Sequence, residues 1–402
     1  MGGTKLNNSG RNWAVTDRWL GQGVKQGAMV IADLKKLFFT AAVAAIGVAG
    51  CVLVASAGSE LPFPKPTAID TNVQFWLDTF TKYGERDFAI HDRDDVSRVY
   101  QVLHLPGEGC PSGSESDSIN SYLKHKYTDI LNRLATGQKP VNYEERQVAD
   151  MFAGQPLSAY AVAAQNLRVQ QGMRERFREG LLRSRNYRPT MERIFAENGL
   201  PPELVTLAGI ESGFYIRAHS DAGAVGVWQF TRPTGKQFMR ISRYHDDRLD
   251  PTTETEAAAK LLRSNYLTFD GNWPLAITAY NYGTGGMQQA SEQYNGDYGR
   301  IVKNYTGPHF GFASKNYYSE FLAAVEIHQN EDKYFPELKY LDTPPAQVVR
   351  TDFAPKHRRR TPTVHRAVLH HTVRHRRRTT ARRTTHKRDA VAEETQSKPE
   401  DS

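Results

Sequence analysis

The chain has 402 residues, 39% of them hydrophobic and 24% charged, which is long enough for one or two domains with a buried core. Its net charge of +8 is unevenly spread: residues 356–388 hold 13 Lys and Arg and no acid, so the remainder sums to −5 and does not read as a nucleic-acid binder. With two cysteines, Cys51 and Cys110, neither a disulfide framework nor a cysteine metal cluster is available.

Residues 1–36 form a polar, Gly-rich segment that ends in the basic pair Lys35-Lys36, with Met29 as an alternative start. Residues 37–57 are apolar, and a positive region before an apolar run reads as a secretory signal or a membrane anchor. Ala55-Ser56-Ala57 fits a small-x-small cleavage site. Val48-Ala49-Gly50-Cys51 resembles a lipobox, which would be lipidated at Cys51, although Val52-Leu53-Val54 stay apolar where lipoproteins turn polar. Because about 20 residues span a bilayer, the run can also stay as an uncleaved anchor. Each fate places the rest of the chain in the periplasm or cell envelope.

Residues 58–72, with Leu61-Pro62-Phe63-Pro64-Lys65-Pro66, read as a Pro-rich linker. A helical N-terminal region is expected over 73–185. Phe75, Trp76, Leu77, Phe80 and Tyr83 recur at helical spacing, Gly107 to Asn120 reads as a loop, and a long helical stretch runs from about Ile119 to Leu182. Breaks are expected near Gly137–Pro140 and Gly154–Pro156. Arg185 to Asn198 suggests a further helix. Strand signals are few, so the chain is expected to be mostly α. Residues 186–335 carry the chemistry, 336–355 are transitional, and 356–402 are an Arg/His/Thr-rich tail expected to be disordered. The six histidines between His357 and His386 show no metal-ligand spacing.

Pro201-Pro202-Glu203 starts a helix, followed by the apolar Leu204-Val205-Thr206-Leu207-Ala208-Gly209-Ile210. Glu211 stands seven residues after Leu204 and four after Leu207, on their face. Burial there raises a carboxyl pKa toward what a general acid needs near neutral pH. On this segment alone, a solvent-facing acid at a helix end fits equally well. The next stretch favours a site. Ser220-Asp221-Ala222-Gly223-Ala224-Val225-Gly226-Val227-Trp228-Gln229-Phe230 mixes polar groups with apolar surface, and its glycines permit turns and close backbone approach, which suits a sugar. Downstream, Pro274 leads a helix that ends in Tyr280-Asn281-Tyr282, before Gly283-Thr284-Gly285-Gly286. As a phosphate cradle that loop lacks both a following Lys-Ser/Thr and a preceding strand.

Together these motifs resemble the soluble-lytic-transglycosylase (SLT) domain. They are Glu211-Ser212, Ser220, Gly223-Ala224-Val225-Gly226, Gln229 and Ala279-Tyr280-Asn281-Tyr282-Gly283, in that order and spacing. Asp247-Arg248-Leu249-Asp250-Pro251, the flank from Asn304 to Tyr318 and the upstream Phe75 to Asp92 are similar to the membrane-bound lytic murein transglycosylase D type. The resemblance covers roughly Val73 to Glu331. It implies a lysozyme-like α-helical fold and non-hydrolytic cleavage of the bond between N-acetylmuramic acid and N-acetylglucosamine, giving 1,6-anhydromuramic ends. It also implies Glu211 as the sole acid/base, Ser220 as a contact to the N-acetyl group, and Gln229, Tyr280 and Asn281 as cleft residues. The expected partner is a peptidoglycan glycan strand bound by a monomer, with no cofactor, metal or nucleic acid.

Other readings of these residues are a hydrolytic goose-type lysozyme, a non-catalytic wall-binding module, and a nucleic-acid binder driven by the basic tail, for which export makes anionic wall polymers or lipid headgroups the better partners. Asp221 reads as a loop cap or a solvated residue. Tyr280 is expected to bond to or orient near Glu211, while bracing the loop and binding sugar fit Asn281 equally. Trp76 and Trp273 read as packing; Trp228 reads as core more than as a sugar-stacking wall.

Overall fold

Of the helically spaced Phe75, Trp76, Leu77, Phe80 and Tyr83, the first helix α1 (Asp70–Thr81) buries Phe75, Trp76 and Phe80, together with Val73, while Leu77 and, just beyond the helix, Tyr83 are partly buried. The computed structural model describes residues 62–341; the apolar segment 37–57 with Cys51 and the basic tail lie outside those residues. Two strands, β1 (Asp87–Asp92) and β2 (Val99–His104), follow, then α2 (Gly113–Ala135), α3 (Tyr143–Asp150), α4 (Ser158–Gln165) and a third strand, β3 (Leu167–Gln171). Helices then dominate: α5 (Arg174–Ser184), α6 (Arg188–Glu197), α7 (Thr206–Ser212), the short α8 (Arg232–Gly235), α9 (Pro251–Thr268), α10 (Trp273–Tyr282), α11 (Thr284–Tyr294), α12 (Tyr298–Asn304), α13 (Phe312–Gln329) and α14 (Glu331–Tyr334). The mostly α expectation holds. Among the described residues no helix is long and apolar enough to cross a membrane.

The sheet departs from the sequence reading. β1 lies between β2 and β3 and pairs antiparallel with both, with a register shift at Ile90/His91. Leu167-Arg168-Val169-Gln170-Gln171 falls inside the stretch expected to be helical, yet it is a strand. Its hydrogen-bonding partner is about eighty positions upstream, and local periodicity carries no record of such a non-local pairing.

The sheet separates two apolar clusters. Phe88 and Ile90 face the smaller one, with Leu123, Tyr127 and Leu131 of α2 and Phe152 from the turn after α3. His91, on the opposite face of β1, packs 4.7 Å from the Phe75 ring and 5.5 Å from Phe312 in the larger one. Burial lowers its pKa to about 4, so it packs as a neutral ring.

The larger cluster is organised around α13, which is buried along most of its length and packs against α1, α7 and α10. Of the expected Pro-rich linker, residues 62–66 carry no regular secondary structure, but Thr67–Ile69 form a 3-10 turn and 70–72 already belong to α1, and Phe63 is buried edge-on against Trp273 and Phe321. Trp76 and Trp273 are buried packing residues. Trp228 is wholly buried, stacked on Phe195 at 5.4 Å, and its Nε1 donates to Thr255 Oγ1 at 2.9 Å, so it is core and not an exposed sugar platform.

Candidate active site

α7 is entered through a 3-10 turn, Pro202–Val205, that places Leu204, Leu207 and Ala208 in the core. It stops at Gly213, whose left-handed φ of 58° ends the helix, so Glu211 falls in the last turn. Glu211 is only partly buried, whereas its neighbour Ser212 is fully buried and donates from Oγ to Val227 O at 2.8 Å. That bond ties the Glu211 helix to the loop Ser220–Phe230.

Tyr317 of α13 donates its hydroxyl to Glu211 Oε1 at 2.5 Å. Burial raises the Glu211 pKa to about 7, and the Tyr317 hydrogen bond opposes the rise by favouring the ionised form. Near neutral pH this carboxyl is poised between its two states, as a group that gives and then retakes a proton requires. In the sequence Tyr317 stands only within the flank that resembles the family. Its role depends on the packing of two helices 106 positions apart and has no local signature.

The loop carries two of the expected site residues. Ser220 Oγ accepts from Ala224 N at 3.0 Å, closing a turn. Gln229 adopts φ 52°, and its amide donates to Gly226 O at 2.8 Å and Ala218 O at 3.3 Å. Beneath the loop, Glu254 of α9 is buried and accepts from Val227 N at 2.7 Å. Arg248, also buried, donates to Gly223 O at 3.2 Å and Phe230 O at 3.0 Å, while Asp246 pairs with its guanidinium. The sequence reading gave Glu254 and Arg248 no role; they fix the loop from inside. Asp221 is exposed, as a solvated loop residue is expected to be.

α10 brings the remaining pair. Asn272 caps its start, accepting from Leu275 N, and Pro274 lies in the first turn. Tyr280 donates to Trp228 O at 2.8 Å rather than to Glu211. Burial first, then the charge of Glu211 and that of Glu254, push its pKa well up, so it stays a neutral hydrogen-bonding group. Asn281 Oδ1 accepts from Ser314 Oγ of α13 at 2.9 Å, a bracing contact. Glu211, Ser220, Gln229, Tyr280 and Asn281 are each partly exposed polar side chains; Glu211, Gln229, Tyr280 and Asn281 follow largely buried stretches, whereas Ser220 stands in an exposed part of its loop.

Glu320, one turn beyond Tyr317, is a further buried carboxyl, raised to about 8 by burial and by the charge of Glu211. It lines a small internal cavity with Phe80, Phe177, Gly209, Phe214 and His328, so it faces the protein interior. Among the described residues no group of three or more His, Cys, Asp or Glu is arranged to hold a metal ion.

Glu211, Ser220, Gln229, Glu254, Tyr280 and Asn281 fall within residues 191–301, which match the family model of the transglycosylase SLT domain, whereas Tyr317 and Glu320 lie beyond it. Among similar proteins, the membrane-bound lytic murein transglycosylase D of Escherichia coli K12 is 32% identical over 147 residues, 36% of this chain and 32% of that one. The peptidoglycan transglycosylase gp16 of Escherichia phage T7 is 38% identical over 109 residues, 26% of this chain and 8% of that one. The match thus spans about a third of the E. coli relative's length and far less of the phage protein's. Among solved structures, the 70 kDa soluble lytic transglycosylase of E. coli aligns over 56% of this chain and 45% of that one, at 16% identity and a TM-score of 0.33.

Proposed function

We propose that this chain is a peptidoglycan lytic transglycosylase that cleaves the bond between N-acetylmuramic acid and N-acetylglucosamine without water, with Glu211 as its single acid and base. The observation that carries the reading is the Glu211 carboxyl, poised near pH 7 by burial and by Tyr317, at the end of a helix inside the SLT match. The names of the E. coli and T7 relatives support the substrate class.

In the first step Glu211, protonated, gives its proton to the leaving glycosidic oxygen as the C1–O bond breaks. The muramic acetamide stabilises the positive charge developing at C1, with Ser220 as its contact. Glu211, now ionised and still hydrogen-bonded by Tyr317, then takes the proton of the C6 hydroxyl as that oxygen closes on C1. The proton count balances, and Glu211 ends as it began. Most glycosidases require two carboxyl groups across the scissile bond. Here Glu320 lines an internal cavity and Glu254 is engaged by Val227 N, which favours a mechanism in which the substrate's own acetamide does the second group's work. Gln229 lines the cleft, Tyr280 anchors the loop through Trp228, and Asn281 braces α10 on α13.

The chain acts as a monomer on glycan strands in the periplasm or cell envelope, exported by residues 37–57 and cleaved, lipidated at Cys51 or retained as an anchor. That the E. coli relative is named membrane-bound supports this placement.

A hydrolytic, goose-type reaction on the same site is the competing chemistry, and digestion of purified peptidoglycan with mass analysis of the products separates the two. The expected product carries an anhydro end, lighter by one water, about 18 Da, than the reducing end that hydrolysis gives. Reducing ends alone would replace this reading with the hydrolytic one.

A further inference from the structure

We propose that the segment following Gln229 is a basic ledge that engages the carboxylates of the peptide stems on the glycan strand, so that peptide-bearing strands are the preferred substrate. The inference rests on the peptidoglycan reading of the site above.

The charge distribution is the first observation. Residues 62–341 carry 31 Lys and Arg against 34 Asp and Glu, a slightly acidic body. Between Asp221 and Asp246 there is no acid, while Arg232, Lys236, Arg240 and Arg243 all occur there, and all four are exposed. Adjacent acids offset them only in part, Asp247 at Arg240 and Asp246 at longer range from Arg232. Asp246 is committed to Arg248, at 2.9 Å from Nε and 2.7 Å from Nη2. Asp247 accepts from the Arg240 backbone N at 2.9 Å and pairs with His245, leaving the Arg240 guanidinium at 3.6 Å with its side chain 84% exposed. Among the described residues, neither Lys236 nor Arg243 has a carboxylate within ion-pair distance.

The ledge is also built and not merely charged. Ile241 and Asp246 form a bridge, Ser242 N donates to His245 O at 2.7 Å, and Asp247 N donates to Arg240 O at 3.1 Å, so residues 240–247 make a tight hairpin with Arg243 and Tyr244 at its tip. Arg232 Nη2 donates to Ser242 O at 3.1 Å, which fixes the hairpin to the start of the segment. Tyr244 is 84% exposed, with the Arg243 guanidinium 5.5 Å from its ring centre. An ordered turn that holds a cation and an aromatic ring in solvent loses little entropy when it binds an anionic chain.

Position supplies the third observation. The segment starts directly after Phe230, and Phe238 packs 6.3 Å from the Phe230 ring, which lies 6.2 Å from the ring of Tyr280. The ledge is therefore joined through two ring contacts to the residue that anchors the loop over Glu211. The stems of peptidoglycan hang from the muramic lactyl groups, one per disaccharide, and carry free carboxylates. A strand with one muramic unit at the acid thus brings neighbouring stems alongside the groove. Guanidinium groups in a fixed array match carboxylates in such a chain.

The test compares glycan strands with intact stems and the same strands stripped of them by an amidase. Wild type and Arg240→Ser/Arg243→Ser would be assayed on each, at low and high salt. The expected result is a wild-type KM about three- to tenfold lower on stem-bearing strands, a size set by exposed charge pairs, and shrinking as salt rises. The double variant should lose that preference while its melting temperature and its kcat on stripped strands stay as in the wild type. Equal KM values on both substrates in the wild type, or the same preference in the variant, would overturn the ledge while leaving the glycan chemistry standing. Absence of cleavage of either strand by the wild type would strike the reading of the site itself, and the ledge with it.

Discussion

Glu211→Gln is expected to fold normally and to release at least about a thousandfold less anhydro product than the wild type, near the upper range for removal of a general acid. Gln keeps the size of the side chain and can still accept the Tyr317 hydroxyl, but it has no proton to give the leaving oxygen. Stability moves the other way. The folded pKa of Glu211 is raised above its ordinary value of 4.5, to about 7. The favourable neutral form is fully available below about pH 4.5, and its contribution is lost as pH rises through about 7. Gln cannot ionise, so the variant should melt no lower than the wild type at pH 5 and above it at pH 8. Calorimetry at the two pH values checks the stability, and product analysis checks the chemistry. Full turnover in the variant would end the proposed mechanism.

Gly226→Ala is the second change with a large expected effect. Gly226 has φ 92°, a conformation that costs a non-Gly residue about 1–3 kcal/mol. A Cβ there would also sit 2.0 Å from the Arg248 carbonyl oxygen and 2.4 Å from both carboxyl oxygens of Glu254. Neither neighbour can yield easily. Arg248 is tied to Asp246 and to the loop, and Glu254 holds Val227 N. The loop must therefore move, taking with it Gln229 and the Trp228 carbonyl that anchors Tyr280. The variant should melt about 5–10 °C lower and lose about a hundredfold or more in kcat/KM, since a displacement near 1 Å suffices for such a loss. Gly285→Ala is the control: nothing lies within 4 Å of a Cβ there, and both parameters should stay put. Wild-type melting and activity in Gly226→Ala would contradict the packing described beneath the loop.

Much of the helical framework was legible in the sequence because its signals are local. Pro202 before an apolar run, Pro274 in the first turn of α10, and the spacing of Phe75, Trp76 and Phe80 each act within one or two turns. The three-stranded sheet was not legible. Its strands are five or six residues long, and β1 pairs with β3 across three helices. Tyr317 and Glu254 were hidden for the same reason, since each acts on a residue far along the chain. Tyr280 shows the limit of a motif. Its place near Glu211 could be anticipated, but its hydrogen bond goes to the Trp228 carbonyl, 52 positions upstream, and no motif records that partner.

The whole account turns on a proton held by one carboxyl near neutral pH. Titration of 13C-labelled glutamate in the intact protein by NMR, with Glu211→Gln used to assign the signal, reads that proton directly. The Glu211 carbon should titrate with a midpoint at about pH 7. A midpoint at about 4.5, the ordinary value, would show a solvent-exposed acid already ionised at working pH, and no proton would be there to start the reaction.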